Sequence, residues 1–238
     1  MSIEVLHVTA GYTEENPILH HVNLKAEKGK VTVLVGPNGS GKSTLLKTIF
    51  GFLKPTKGRI LHNEQDITGL DPAKMLSRGI TYVMQGFNVF TSLRVHENLE
   101  MGGWILRRKG KQLKEAISTT YSRYPLLETR KESRAGVLSG GQQKTLEIGR
   151  GLMLTPPTIL LDEPTAGLAP IPSEEVYNEI EKLKAQGYTI LMVDQNVKKA
   201  ISIADHVYVL ALGKNAHDGP GTEYYANIEN VVREWLYA

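Results

Sequence analysis

The stretch Val31–Leu46, VTVLVGPNGSGKSTLL, decides how the rest of the chain is read. Its first part, Lys30–Val35, is apolar enough to be a strand buried on both faces. After Gly41 the apolar positions Leu45, Leu46, Ile49 and Phe50 recur at helical spacing and define one buried face. Between strand and helix lies GPNGSGKS, Gly36 to Ser43, which fulfils the pattern G-x-x-x-x-G-K-[ST] in the context that pattern requires. Glycines let the backbone wrap closely, so successive N–H groups point inward at the β- and γ-phosphate oxygens of a nucleotide. The candidate phosphate binders are Gly36, Pro37, Asn38, Gly39, Ser40 and Gly41 in the loop, with Lys42, Ser43 and Thr44 opening the helix. Lys42 supplies a compact positive charge and Ser43 a hydroxyl ligand for Mg2+, while the helix dipole adds to the pull on an anion.

A second chemical signal ends another buried strand. TILLDEP, Thr158 to Pro164, places two carboxylates at the tip of an apolar run. Asp162 is a candidate Mg2+ ligand, directly or through water, and Glu163 is placed to polarise a water for attack on a γ-phosphate. Upstream, Val137–Met153 (VLSGGQQKTLEIGRGLM) has the form of a second anion-binding helix start, with Ser139, Gly140, Gly141 and Gln142 at its head. One nucleotide has one γ-phosphate and the first loop already surrounds most of it. The second cradle therefore faces a nucleotide held by another molecule.

Composition agrees with a nucleotide-binding globular protein and excludes several alternatives. Of 238 residues, 41% are hydrophobic and 22% charged, with a formal net charge of +3. That is enough chain for one large core, or one domain carrying an inserted lobe. Absence of cysteine excludes a disulfide framework and thiolate metal sites and suits a reducing compartment. No apolar run approaches the ~20 residues needed to cross a bilayer, so no direct membrane insertion is expected.

Strands are expected at Ser2–Thr9, Val22–Ala26, Gly58–Leu61 and Ile80–Met84 as further pieces of an α/β sheet. Helices follow at 95–108 and 114–124, the second broken by Pro125, and a third runs from the VLSGGQQ segment through Met153. With no strand between Met84 and Thr158, residues 87–154 read as a helical lobe between 1–86 and 155–238, the two parts of an ATP-binding core. Alternation then returns: TILLD, a helix over 173–185, YTILMVD, a helix near 198–203, and HVYVLAL, which suits parallel strands with crossover helices.

LSGGQ, a phosphate loop before it and a DE-ended strand 24 residues after Leu138 together resemble the ATP-binding cassette ATPases over essentially the whole chain. The resemblance implies a P-loop NTPase fold with a RecA-like mixed-sheet core and an inserted α-helical lobe. It implies ATP and Mg2+ as ligands, and two subunits facing head to tail, so that Ser139–Gly141 and Gln142 of one close on the ATP of the other. Tyr12, 24 residues before Gly36, stands where the family stacks an aromatic on adenine; packing against a strand is the alternative. Gln85 matches the glutamine that reaches Mg2+ and the attacking water and joins the two lobes. Gln195 takes the place where many members carry a histidine on the γ-phosphate, and an amide donates hydrogen bonds but carries no proton or charge. AGLAP, 166–170, matches a loop along the dimer interface, with Ala169 where many members have aspartate.

GLAP, QNVKKA and VHENLEMGG are similar to the shorter ATPase subunit of branched-chain amino acid importers, although that subgroup often has glutamate at the Gln85 position. The resemblance implies a second ATPase subunit, membrane-embedded permease subunits, a station on the cytoplasmic face of the membrane, and no nucleic acid. Phe87, Val89 and Phe90 either form the groove for a short permease helix or pack in the core. Arg107–Lys114, RRKGKQLK, reads as a solvated turn, with lipid headgroups or a partner's acidic loop as the alternative. The alternatives to a transporter subunit are a soluble ATPase of the same type and a low-turnover ATP-binding regulatory module.

Overall fold

Two β-sheets organise the chain in its computed structural model, which describes residues 1–227. Residues 228–238, the tail of the stretch 155–238, lie outside the described residues. The first part of the chain forms β1 (Ile3–Ala10), β2 (Leu19–Ala26), β3 (Val31–Val35), α1 (Lys42–Phe50), β4 (Lys57–His62), β5 (Gln65–Asp66), α2 (Pro72–Ser77) and β6 (Ile80–Val83). A helical stretch follows: α3 (Val95–Gly102), α4 (Gly110–Arg123), α5 (Pro125–Thr129) and α6 (Gly140–Leu152). The last described part is β7 (Thr158–Asp162), α7 (Pro170–Ala185), β8 (Thr189–Val193), α8 (Val197–Ser202), β9 (His206–Ala211), β10 (Lys214–Pro220) and α9 (Gly221–Ala226).

The main sheet runs β10-β9-β3-β8-β7-β6, parallel throughout except for the antiparallel edge strand β10. The strands β1, β2, β4 and β5 do not join it. They form a separate antiparallel sheet in the order β2-β1-β4-β5. Alternation in β1, with Ile3, Val5 and Val8 buried, reports one covered face, which is the signature of an antiparallel layer and not of a central parallel strand. β3 is buried at every position and separates two apolar clusters. Leu34 turns to a cluster with Leu45 and Ile49 of α1 and Ile3 and Val5 of β1, while Val31, Val33 and Val35 turn to the face covered by α3 to α8.

The helical stretch departs from its expected bounds for local reasons. α3 stops at Gly102, six residues before Arg108, where the chain passes close to α6: a Cβ on Gly102 would stand 2.5 Å from the Arg150 carbonyl oxygen. A 3-10 turn, Trp104–Leu106, then leads to α4, which begins at Gly110 and absorbs most of the basic run. Within that run Arg107 lies over the Trp104 ring, 4.9 Å from its centroid. Pro125 ends α4 and also starts α5, since a missing N–H is harmless at the first helical position. The same logic starts α7 at Pro170, three residues before Ser173.

Candidate nucleotide site

The phosphate loop closes on itself around a lysine. Gly36 adopts φ +147°, and a Cβ there would stand 2.0 Å from the Leu210 carbonyl oxygen, so the loop lies against β9 as only glycine allows. Lys42 Nζ donates to the carbonyls of Gly36 and Pro37, each at 2.8 Å, and burial holds its pKa below the ordinary lysine value. These carbonyls are weak partners for a full charge, so the ammonium is ready to exchange them for phosphate oxygens. Asn38, Gly39, Gly41, Lys42, Ser43 and Thr44 line a cavity of about 340 Å³ with Ile18, Gln85, Glu163 and Gln195. Ser40 is buried behind the loop.

At the cavity floor Ser43 Oγ donates to Asp162 Oδ1 at 2.8 Å, and Tyr82 OH donates to Asp162 Oδ2 at 2.6 Å. A hydroxyl and a carboxylate oxygen side by side suit Mg2+, which keeps most of its shell as water and phosphate. Among the described residues no group of three His, Cys, Asp or Glu is placed to hold a metal ion. Burial and the Asp162 charge push the Tyr82 phenol far above its ordinary pKa, keeping it a donor.

Glu163 follows Asp162 in a left-handed conformation, φ +49°, at a cost on the order of 1 kcal/mol or more, and its N–H is tied to the Val193 carbonyl at 2.8 Å. That conformation brings Glu163 to the cavity lining, while Asp162 stays below the surface. One carboxylate oxygen, Oε2, accepts from Gln85 Nε2 and from Gln195 Nε2, both at 2.6 Å. Burial raises the Glu163 pKa, Asp162 raises it further, and the Gln195 hydrogen bond opposes both. A carboxylate so placed, more basic than usual, can take a proton from water. Gln195 owes its position to Asp194, which accepts from Thr165 Oγ1 (2.8 and 2.9 Å) and from the Asn196 N–H (2.9 Å). Neither Tyr82 nor the Asp194–Thr165 pair was expected from the sequence. A phenol within a strand carries no motif, and Asp194 is visible only once β7 and β8 are neighbours.

Ser139, Gly140, Gly141 and Gln142 do not line this cavity. Ser139 caps α6: its Oγ accepts from the Gln142 N–H at 3.4 Å while its own N–H donates to Gln142 Oε1 at 3.1 Å. Gln142 is therefore turned back onto its own helix, and the free donors are the first-turn N–H groups of Gly140 and Gly141. Tyr12, 60% exposed, also stands outside the cavity lining; Lys47 Nζ donates to its hydroxyl at 3.1 Å and lies 5.6 Å from its ring centroid. The three apolar residues after Gln85 separate: Val89 is buried, while Phe87 and Phe90 are exposed. Phe90 borders a groove of about 260 Å³ with Tyr82, Met84, Met101, Arg150 and Leu154.

A family model described as ABC transporter matches residues 19–166, which hold the phosphate loop, the α6 cap and both carboxylates. The chain belongs to the ABC transporter family. It is the ATP-binding and ATP-hydrolysing subunit of an ABC transporter. Among its relatives, the high-affinity branched-chain amino acid transport ATP-binding protein BraG of Pseudomonas aeruginosa is 38% identical over 209 residues, covering 88% of this chain and 89% of that one. Among solved ABC transporter structures, the ADP conformation of an ATP-binding cassette superposes with a TM-score of 0.87 at 33% identity, covering 100% of this chain and 99% of the other. A dimeric cassette in a post-hydrolysis state with ADP and Pi gives a TM-score of 0.78 at 28% identity, covering 92% and 98%. No helix among the described residues of this ABC transporter subunit is long and apolar enough to cross a membrane.

Proposed function

We propose that the chain energises import of branched-chain or other hydrophobic amino acids by hydrolysing Mg-ATP at a head-to-tail interface of two ATPase subunits. The observation that carries the catalytic part is the Glu163 carboxylate, held at the cavity lining by the Gln85 and Gln195 amides beside Lys42. Lys42 and the loop N–H groups bind the β- and γ-phosphates. Mg2+, when bound through Ser43 and Asp162, neutralises charge on the phosphate oxygens. Glu163 accepts a proton from a water as that water's oxygen bonds to the γ-phosphorus and the bond to the bridging oxygen breaks, giving ADP and inorganic phosphate. Gln85 fixes Glu163 through its amide nitrogen, and its amide oxygen would be available to water and to Mg2+. Tyr12 stacks on the adenine.

The N–H groups of Gly140 and Gly141 complete the phosphate shell of the opposite subunit, which accounts for their distance from this subunit's own loop. The groove at Phe90 receives a short helix of the membrane subunit, holding the chain on the inner face of the membrane. The importer assignment rests on the likeness to BraG and on the GLAP and VHENLEMGG segments.

Glu163→Gln tests this reading. The variant keeps ATP binding, loses about two orders of magnitude in turnover, and accumulates as an ATP-loaded dimer on size-exclusion chromatography with Mg-ATP. Hydrolysis at the parent rate would remove Glu163 as the base.

A further inference from the structure

α6 carries a buried ion pair away from its capped end. Lys144 and Glu147, 1% and 3% exposed, meet at 2.6 Å one turn apart. Two desolvated charges are costly unless their remaining hydrogen-bonding capacity is met, and here the outside partners come from one short segment. Lys144 Nζ donates to the Gly86 carbonyl at 2.7 Å and lies 5.6 Å from the Phe87 ring centroid. Glu147 Oε1 accepts from Asn88 Nδ2 at 3.0 Å, and the same Asn88 amide donates to the Gln85 carbonyl at 3.0 Å.

That segment needs an external anchor. The β6–β7 ladder ends at Val83, and Gly86 takes φ +89° with nothing within 4 Å of where its Cβ would be, so glycine serves there as a bend and not as a close fit. Gln85, at the start of the bend, sends its side chain to Glu163.

We propose that Lys144 and Glu147 are positioning residues. They fasten Gly86–Asn88 to α6 and so set where the Gln85 amide stands beside Glu163. Because Ser139–Gly141 head the same helix, the pair also makes the station of Gln85 follow the segment that faces the opposite subunit's nucleotide. The proposal rests on the reading of Gln85 and Glu163 as the groups that place the attacking water.

The test is a kinetic cycle on the full chain. Lys144→Met/Glu147→Leu keeps helix propensity and fills the site with apolar volume, so folding is retained while the tie to Gly86–Asn88 is lost. It should lower kcat about tenfold and leave KM for ATP within about twofold, as expected for a misplaced but intact catalytic group. Gln85→Ala, costly alone, should add almost nothing in that background. Asn88→Ala, at a half-buried position, should lower kcat in the same direction and raise amide exchange at 86–88 without affecting β6 or β7. Multiplying losses from Gln85→Ala and the double variant, or parent kcat in the double variant, would overturn the coupling. Parent kcat together with parent exchange in Asn88→Ala would overturn it even if the double variant failed to fold. A Gln85→Ala protein that hydrolyses like the parent would remove the role of Gln85 itself, and the coupling with it.

Discussion

Glu163 is under opposing influences: burial and the adjacent Asp162 favour its protonated form, and the Gln195 amide favours the charged one. A general base works only when deprotonated, so its pKa sets the acidic limb of the pH–rate profile. Gln195→Leu removes one of the two amide hydrogen bonds to Oε2, so the limb should move to higher pH. The plateau rate should also fall roughly tenfold, the scale of one charge-assisted hydrogen bond. Steady-state kcat against pH for both proteins measures this, and a limb that stays in place would mean that Gln195 does not act through Glu163. Lys42, Ser43, Asp162 and Glu163 were legible in sequence because strand–loop–helix and strand-end contexts tie residue type to location. Tyr82 and Asp194 were not, since each acts on a residue 80 or 29 positions away through contacts that only the sheet order creates.

α6 shows what an element adds to a motif. The serine and glycines at its head announce a capped helix start, and Ser139 does cap it. The two glycines are nevertheless unlike. A Cβ on Gly140 would meet Phe87 and Leu168 at 3.4 and 3.5 Å, ordinary contact distances, whereas one on Gly141 would approach Pro172 to 2.8 Å. Gly141→Ala should therefore lower thermal stability, with a loss on the order of 1–3 kcal/mol from overpacking. Gly140→Asp should fold like the parent and keep its ATP affinity, yet lose cooperative hydrolysis because its carboxylate repels the facing γ-phosphate. Thermal melts, nucleotide titrations and the Hill coefficient separate the two. A Gly140→Asp protein that melts early would make that residue a folding element. Other elements left weaker traces: β10, Lys214–Pro220, is rich in the polar and turn-forming residues that mark loops, and β5 is too short to show a period.

At the scale of the whole molecule, the division into two sheets was the least legible feature, because strand periodicity names a buried face and never the partner strand. One buried contact between the sheets is titratable. His62, at the end of β4, sits 3.0 Å from Thr158 Oγ1 at the start of β7, and burial, reinforced by the N-terminal ammonium and Arg78, pushes its pKa down to about 4. Folding thus favours neutral imidazole, while the unfolded chain takes up a proton near the ordinary value of about 6.5. This contribution is complete above about 6.5 and is lost as pH falls toward about 4. His62→Gln, which keeps a polar partner but does not titrate, should show a shallower fall in melting temperature over that window, and parallel curves would refute the assignment. The opposite edges of the sheets meet differently: the Asn215 side chain on β10 accepts from the Asn23 N–H and donates to the Asn23 carbonyl on β2, each at 2.8 Å. A side-chain amide there occupies backbone groups that would otherwise template a foreign strand. With a bulge between Asn215 and His217, Lys214 and Asp218 at the surface and Pro220 at its end, β10 is a poor seed for edge-to-edge aggregation. A subunit made in excess should consequently resist aggregation through this edge.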